Sequence, residues 1–124
     1  MSTRRTVLVV EDHDAIRELV SQYLESVGYR CLSASSVSEA RRLVGLAGSI
    51  EAAVVDLMMP EEAACGLAHE LASSGTAVIV VTGMKADTAR QFCPGGTPIL
   101  EKPAAFWQIE EHLRRQLRAV RPVE

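Results

Sequence analysis

The sequence is poor in cysteine and in long apolar runs, and each deficit excludes a class of protein. Its three cysteines, Cys31, Cys65 and Cys93, are odd in number and form no C-x-x-C pair, so neither a disulfide framework nor a thiolate metal site is expected. The apolar stretch near the N-terminus covers only residues 7–10, which is too short for a signal-peptide core or a membrane span. We expect a soluble cytoplasmic protein with no membrane contact, in which the thiols act as small apolar side chains.

Charge of one sign is not in marked excess either. The formal net charge is −3 and the pI about 5.6, whereas nucleic-acid-binding domains are typically strongly basic. The basic run HLRRQLRAVR near the C-terminus is interpreted as a solvated helix face. With 124 residues, 48% of them hydrophobic and 23% charged, the chain has the composition of one folded domain that binds no nucleic acid.

Short apolar segments alternate with helical periodicity along the whole chain. The segments that read as strands are 6–10, 29–34, 51–56, 76–81 and 97–101. Helices are predicted over 14–27, after Ser36 or Ser38, through Leu67 and Leu71, and from about Ala104, whereas 58–66 reads as a loop and 83–96 has room for only a short helix. This alternation predicts an α/β domain with a five-stranded parallel sheet and helices on both of its faces.

Polar side chains follow four of the predicted strands. Glu11 and Asp12 follow the first strand, Asp56 ends the third, Thr82 follows the fourth and Lys102 follows the fifth. The carboxyl ends of parallel strands meet at one edge of the sheet, where open α/β sheets bind their ligands. The sequence therefore predicts that three carboxylates, a hydroxyl and an ammonium group converge.

This combination has a chemical logic. Three acids beside one lysine leave an excess of negative charge, which a cation would compensate, and a donor set of oxygens without sulfur suits magnesium. The lysine and the hydroxyl would hold phosphate oxygens. One carboxylate could act as a nucleophile and become an aspartyl phosphate.

Four motifs in order carry a resemblance to a known family. The segments VLVVEDHDAIRELVSQYLESVGY, AAVVDLMMP, VIVVTG and ILEKP resemble the receiver domain of two-component response regulators, similar to the chemotaxis regulator. The resemblance runs from about Thr6 to Leu117, and it implies one receiver domain over 1–124 with a core of about 6–118. It also implies a flavodoxin-like doubly wound sheet in the strand order 2-1-3-4-5, with five helices of which the fourth is short or irregular.

The resemblance implies a role for each acidic residue of the group. Asp56 matches the phosphoacceptor of the family. Asp12 matches the direct magnesium ligand, and Glu11 matches its neighbour, which acts through water. The backbone carbonyl of Met58 would supply a further metal ligand, so Mg2+ is the expected cofactor.

The remaining matches concern the residues that contact the phosphoryl group and respond to it. Thr82 matches the hydroxyl that moves toward the phosphoryl group, and Lys102 matches the lysine that pairs with Asp56 and then with the phosphate. The bond between Lys102 and Pro103 is cis in the family. The chain departs from the family at Ile99, three residues before the lysine, where an aromatic side chain is usual.

The function that the resemblance implies is a phosphorylation-controlled signalling module that turns over no separate substrate. A sensor histidine kinase or a histidine phosphotransfer protein would donate a phosphoryl group to Asp56 and so switch a surface that binds an unknown downstream protein. The face of the last helix is a candidate for a homodimer contact.

Two alternatives remain open from the residues. In a small phosphohydrolase resembling the haloacid dehalogenases, the D-x-D of VVEDHD would make Asp12 the nucleophile and Asp14 the acid, which leaves Asp56 unexplained. In the other alternative, the chain is a scaffold that keeps the receiver fold and is never phosphorylated.

Overall fold

Five strands alternate with five helices in the computed structural model, which describes residues 4–57 and 61–120, without the side chains of 61–63 and 119–120. The strands are β1 Thr6–Val10, β2 Arg30–Ala34, β3 Ala52–Asp56, β4 Ala77–Thr82 and β5 Ile99–Glu101. The helices are α1 Asp14–Ser26, α2 Val37–Ala47, α3 Glu61–Ser73, α4 Ala86–Arg90 and α5 Phe106–Val120. All strand pairs are parallel and the order is β2-β1-β3-β4-β5. The predicted doubly wound sheet is confirmed.

The central strands are apolar on both faces because helices cover both faces. Every residue of β3 and β4 is buried, as expected where a parallel sheet lies between two helical layers. Alternate residues of β1 point to opposite sides, so Leu8 and Val10 join one cluster, with α2, α3 and α4. Val7 and Val9 join the other, with α1 and α5. We call these the α3 face and the α5 face of the sheet.

Local sequence accounts for several of the helix boundaries. At the start of α2, the Ser36 hydroxyl accepts a hydrogen bond from the Glu39 backbone N–H at 3.1 Å, and Glu39 Oε1 accepts one from the Ser35 N–H at 2.7 Å. Reciprocal bonds of this kind satisfy amide groups that have no partner within the helix. After α1, the chain turns at Gly28 with φ of 108°, a conformation that glycine adopts without strain.

The prediction of a loop over 58–66 is wrong for residues 61–66, because α3 begins at Glu61, and residues 58–60 lie outside the described ones. Pro60 and Gly66 are typical of a loop. The segment EEAAC between them nevertheless favours a helix, because acids in the first turn interact favourably with the helix dipole and alanine has a high helix propensity. Gly66 is accommodated inside the helix. Cys65 therefore lies on α3.

The segment between β4 and β5 follows the prediction, but β5 does not reach its predicted length. The segment after β4 contains only the five-residue helix α4, and β5 is shorter than the predicted 97–101. Among the described residues, no helix is both long and apolar enough to cross a lipid bilayer.

Candidate functional site

The carboxyl edge of the sheet brings together residues from four separate parts of the chain. Val10 pairs with Val55 in the register of β1 and β3, so the next residues, Glu11 and Asp56, reach the edge side by side. Lys102 follows β5, and its backbone N–H donates to the carbonyl oxygen of Thr82 at 2.7 Å. The convergence follows from the strand order, because β1 and β3 are neighbours at the centre of the sheet.

Lys102 joins two buried acids. Its Nζ donates to Glu11 Oε1 at 3.1 Å and to Asp56 Oδ2 at 3.0 Å. Both acids are almost inaccessible, whereas the lysine side chain is 27% exposed. Hydrogen bonds between ionised partners are among the stronger ones, and they hold the Asp56 carboxylate in one orientation.

Burial dominates the electrostatics of Glu11. Loss of solvation raises the pKa of Glu11; hydrogen bonds from the His13 N–H and from Lys102 oppose this, and the nearby charge of Asp56 raises it further. Burial alone would lower the pKa of Lys102, but its hydrogen bonds to Asp56 and Glu11 and their charges outweigh burial, so the pKa is raised. Lys102 thus stays charged, whereas the environment of Glu11 disfavours the charged form of its carboxyl group.

The acidic residues have a geometry that suits a divalent cation. Glu11, Asp12 and Asp56 each offer a carboxylate oxygen, and these atoms all lie within 4.8 Å of one another. Asp12 is exposed, so the group opens to solvent on that side. A set of hard oxygen donors with room for water fits Mg2+ better than a soft metal. Met58, whose carbonyl was predicted as a further ligand, lies outside the described residues.

Thr82 lies at the same edge and is completely buried. Its neighbour Val81 is the register partner of Asp56, and the Thr82 hydroxyl accepts a hydrogen bond from the Met84 backbone N–H at 3.1 Å. The predicted hydroxyl is therefore at the end of the adjacent strand and is bonded to the segment that leads into α4. The predicted cis bond between Lys102 and Pro103 is present.

Sequence reasoning missed Arg17. Its Nη1 donates to the backbone oxygen of Glu11 at 2.9 Å, and its Nη2 pairs with Asp14 Oδ1 at 2.7 Å. Asp14 is 87% exposed and is not in the acidic group formed by the described residues. The phosphohydrolase alternative requires Asp12 and Asp14 to act together, and this arrangement does not support it.

A cavity of about 430 Å³ beside the acidic group was also missed. Glu11, Asp56 and Lys102 line it together with apolar side chains of α1, of α5 and of the central strands, among them Ile16 and Phe106. Helical spacing predicts the inner face of α1, but it does not show that the neighbouring helix leaves a gap.

Comparison with known proteins agrees with this architecture. The family model described as the response regulator receiver domain matches residues 7–114. The probable transcriptional regulatory protein TcrX of Mycobacterium tuberculosis H37Rv is 30% identical over 121 residues, which cover 91% of this chain and 50% of that protein. The chain spans about half the length of the transcriptional regulators that it matches.

Solved structures match over nearly the whole chain. A CheY-like receiver domain protein from Methanospirillum hungatei superposes with a TM-score of 0.83 at 21% identity, covering 95% of this chain and 97% of that one. The response regulator protein TrrA from Thermotoga maritima, solved in complex with Mg2+–BeF, gives a TM-score of 0.73 at 22% identity and covers 90% of this chain and 98% of that one. These likenesses establish the fold, and the family match over most of the chain establishes more: the chain belongs to the family of response regulator receiver domains.

Proposed function

We propose that this chain, as one receiver domain, accepts a phosphoryl group on Asp56 in a two-component system or phosphorelay. The observation that carries the proposal is the bridge that Lys102 makes to Asp56 and Glu11 at 3.0 and 3.1 Å, with Asp12 completing the acidic group. Burying two acids side by side costs free energy unless positive charge compensates them. Binding a cation and a phosphoryl group is the use that suits these residues.

Phosphoryl transfer would use the residues as follows. An Asp56 carboxylate oxygen attacks the phosphorus of a partner's phosphohistidine, the phosphorus–nitrogen bond breaks, and the electron pair stays on the departing imidazole. Lys102, already bonded to Asp56 Oδ2, orients the carboxylate before the transfer. Afterwards its ammonium group would pair with the phosphoryl oxygens and balance their charge.

Magnesium would be held by Glu11, Asp12 and Asp56 together with the Met58 carbonyl. When bound, the ion supplies positive charge that offsets the repulsion among the acids and the charge on the transferring group. Asp12 is the exposed member of the group, so it faces the solvent from which the ion would enter.

The switch would pass through Thr82. Its hydroxyl oxygen accepts from the Met84 N–H, and its proton can be donated to a phosphoryl oxygen. A movement of Thr82 toward Asp56 would carry this link along and reshape the 83–98 segment, a change in the balance between two conformers. Ile99 and Met84 both pack against the apolar cluster of the α3 face, so an aliphatic side chain takes the place of the usual aromatic one in this rearrangement.

The partners follow from the proposed chemistry. A sensor histidine kinase or a histidine phosphotransfer protein would supply the phosphoryl group, and a downstream protein would read the reshaped surface. No separate substrate would be turned over. Trp107 on α5 is 59% exposed, and exposed aromatic side chains suit protein contacts, so we place the proposed homodimer contact on that helix.

Acetyl phosphate, a small phosphodonor, tests the proposal without a partner. We expect the intact mass of the protein to rise by one phosphoryl group in the presence of Mg2+, and EDTA should prevent the gain. Asp56→Asn should show no gain, whereas Asp14→Asn, a matched change in an exposed acid, should behave as the wild type does. Labelling of Asp56→Asn would contradict the assignment, and absence of labelling in the wild type would favour the scaffold alternative.

A further inference from the structure

Two of the three cysteines lie together on the α3 face, away from the acidic group. Cys65 is on α3, and Cys93 is in the turn that follows α4. Both are half-buried and pack against the same apolar cluster. Cys31 is on β2 and packs on the α5 face, on the other side of the sheet.

A hydrogen bond holds the two segments against each other. His69 lies one helical turn after Cys65 on α3, and its Nε2 bonds to the backbone oxygen of Phe92, the residue before Cys93, at 3.2 Å. Residues four apart on a helix share a face, so the face of α3 that carries Cys65 is the one that meets the turn. Burial raises the pKa of the Cys93 thiol, and the charge of Cys65 raises it further.

The turn is better able than α3 to adjust to a new covalent bond. Cys93 is followed by Pro94, Gly95 and Gly96, and Gly96 has φ of 80°. A disulfide requires the two Cα atoms to come within about 7 Å of each other, and an irregular segment that contains glycines can make small shifts at less cost than the middle of a helix.

We propose that Cys65 and Cys93 form a reversible disulfide under peroxide, which fastens α3 to the turn after α4. One thiolate attacks a peroxide oxygen, the oxygen–oxygen bond breaks, and a sulfenic acid and hydroxide result. The other thiolate attacks that sulfur, and a second hydroxide leaves as the sulfur–sulfur bond forms. Each hydroxide takes up the proton that a thiol released on ionising and becomes water. Two thiols and one hydrogen peroxide thus become one disulfide and two waters. The step does not depend on phosphorylation of Asp56.

The surroundings of Cys93 determine how fast the bond forms. Burial raises the pKa of this thiol most, Cys65 raises it further, and Arg90 on α4 lowers it; His69 is the other titratable side chain bonded to this turn. Since the thiolate is the reactive form, oxidation should be slow near neutral pH and faster as the pH rises.

Peptide mapping of the oxidised wild-type protein tests the proposal directly. Trypsin can cut after Lys85 and Arg90, between the two cysteines, so the disulfide would join two separate peptides. After treatment with hydrogen peroxide and alkylation without reduction, we expect these peptides to be linked within one chain, with Cys31 alkylated. Dithiothreitol should separate them.

Matched variants and a stability measurement complete the test. Cys31→Ser should keep the link, whereas Cys65→Ser and Cys93→Ser should each lose it. The midpoint of urea unfolding should rise on oxidation and return on reduction, because the bond restricts the unfolded chain. A link that includes Cys31, links between chains only, separate sulfinic acids at Cys65 and Cys93, or a lower midpoint would overturn the proposal.

Discussion

Two glutamates in this protein are hydrogen-bonded to cationic side chains over similar distances, yet their environments shift the pKa of the carboxyl group in opposite directions. Glu11 accepts from Lys102 at 3.1 Å at the carboxyl edge of the sheet, and Glu70 accepts from Arg41 at 2.8 Å between α2 and α3. The Glu11 side chain is 7% exposed and the Glu70 side chain 56%. The pKa of Glu11 is raised, whereas the pKa of Glu70 is lowered.

Solvation explains the difference. At Glu11, desolvation by burial is the largest influence on the pKa, and Asp56 adds repulsion. At Glu70, the hydrogen bond from Arg41 is the largest influence on the pKa, and water still reaches the carboxylate. Contact length alone therefore does not show whether an ion pair stabilises a fold; burial and the number of neighbouring like charges decide it.

Removing the lysine from the buried group should have the largest effect. In Lys102→Met, Glu11 and Asp56 lose their shared cation, and we expect the free energy of unfolding at neutral pH to fall by about 1–3 kcal/mol. Urea denaturation in metal-free buffer measures the change. Lys85→Met, at an exposed position before α4, is the control and should change little. An equal loss in both variants would show that the bonds from Lys102 to Glu11 and Asp56 do not cause the destabilisation.

Magnesium should stabilise the fold through the acidic group at the carboxyl edge of the sheet and not through Glu70. If Glu11, Asp12 and Asp56 hold the ion, Mg2+ at about ten times its dissociation constant should stabilise the fold by about 1.4 kcal/mol. The shift in the urea midpoint with and without Mg2+ measures this. Asp12→Asn should reduce the shift strongly and Glu70→Gln should keep it. Equal shifts in these two variants would place the ion elsewhere.

The pH dependence of stability should have opposite signs in the two regions. Because the pKa of Glu11 is raised in the fold, the folded state binds the proton more tightly, so stability falls as the pH rises from about 4.5 through the raised pKa. Glu11→Gln should remove this fall. For Glu70, whose pKa is lowered, stability is lost as the pH drops from 4.5 through the lowered pKa, and Glu70→Gln should remove that loss.

Urea unfolding of the wild type, Glu11→Gln and Glu70→Gln in metal-free buffer, at a series of acidic and neutral pH values, measures both effects. The Glu70 effect should be the weaker one, because solvent screens an exposed pair. Parallel changes in both variants would show that burial does not separate the two glutamates.

The smallest effect should come from the exposed cation. Arg41→Gln removes two hydrogen bonds to Glu70, and we expect a loss of only about 0.2–1 kcal/mol, which moderate salt should reduce further. Urea denaturation at low and high ionic strength measures both. A loss as large as that of Lys102→Met would mean that exposure is a poor guide to the energy of this pair.

Much of the fold and of the candidate site could be predicted, because both follow from where the strands begin and end along the sequence. Apolar runs mark the strands, and a parallel sheet places all their carboxyl ends at one edge, so Glu11, Asp56 and Lys102 could be grouped without coordinates. The start of α3 was not predicted, because Pro60 and Gly66 are typical of loops, although the acids and alanines between them favour a helix.

Arg17 and the neighbouring cavity were beyond prediction for a related reason. The helical pattern of α1 indicates which face turns inward, but the bond from Arg17 to the Glu11 carbonyl depends on how the helix lies against the sheet. The gap between α1 and α5 likewise depends on how two helices distant in sequence pack together.

The sequence by itself determined the order of the elements, the parallel sheet and the set of side chains at its carboxyl edge, because these follow from local periodicity and from the alternation of strands and helices. Only the tertiary structure decided which acids are buried, which oxygens Lys102 contacts, and that Cys65 and Cys93 share one face while Cys31 lies on the other. Burial and contact between distant segments arise from packing, and packing depends on the whole chain at once.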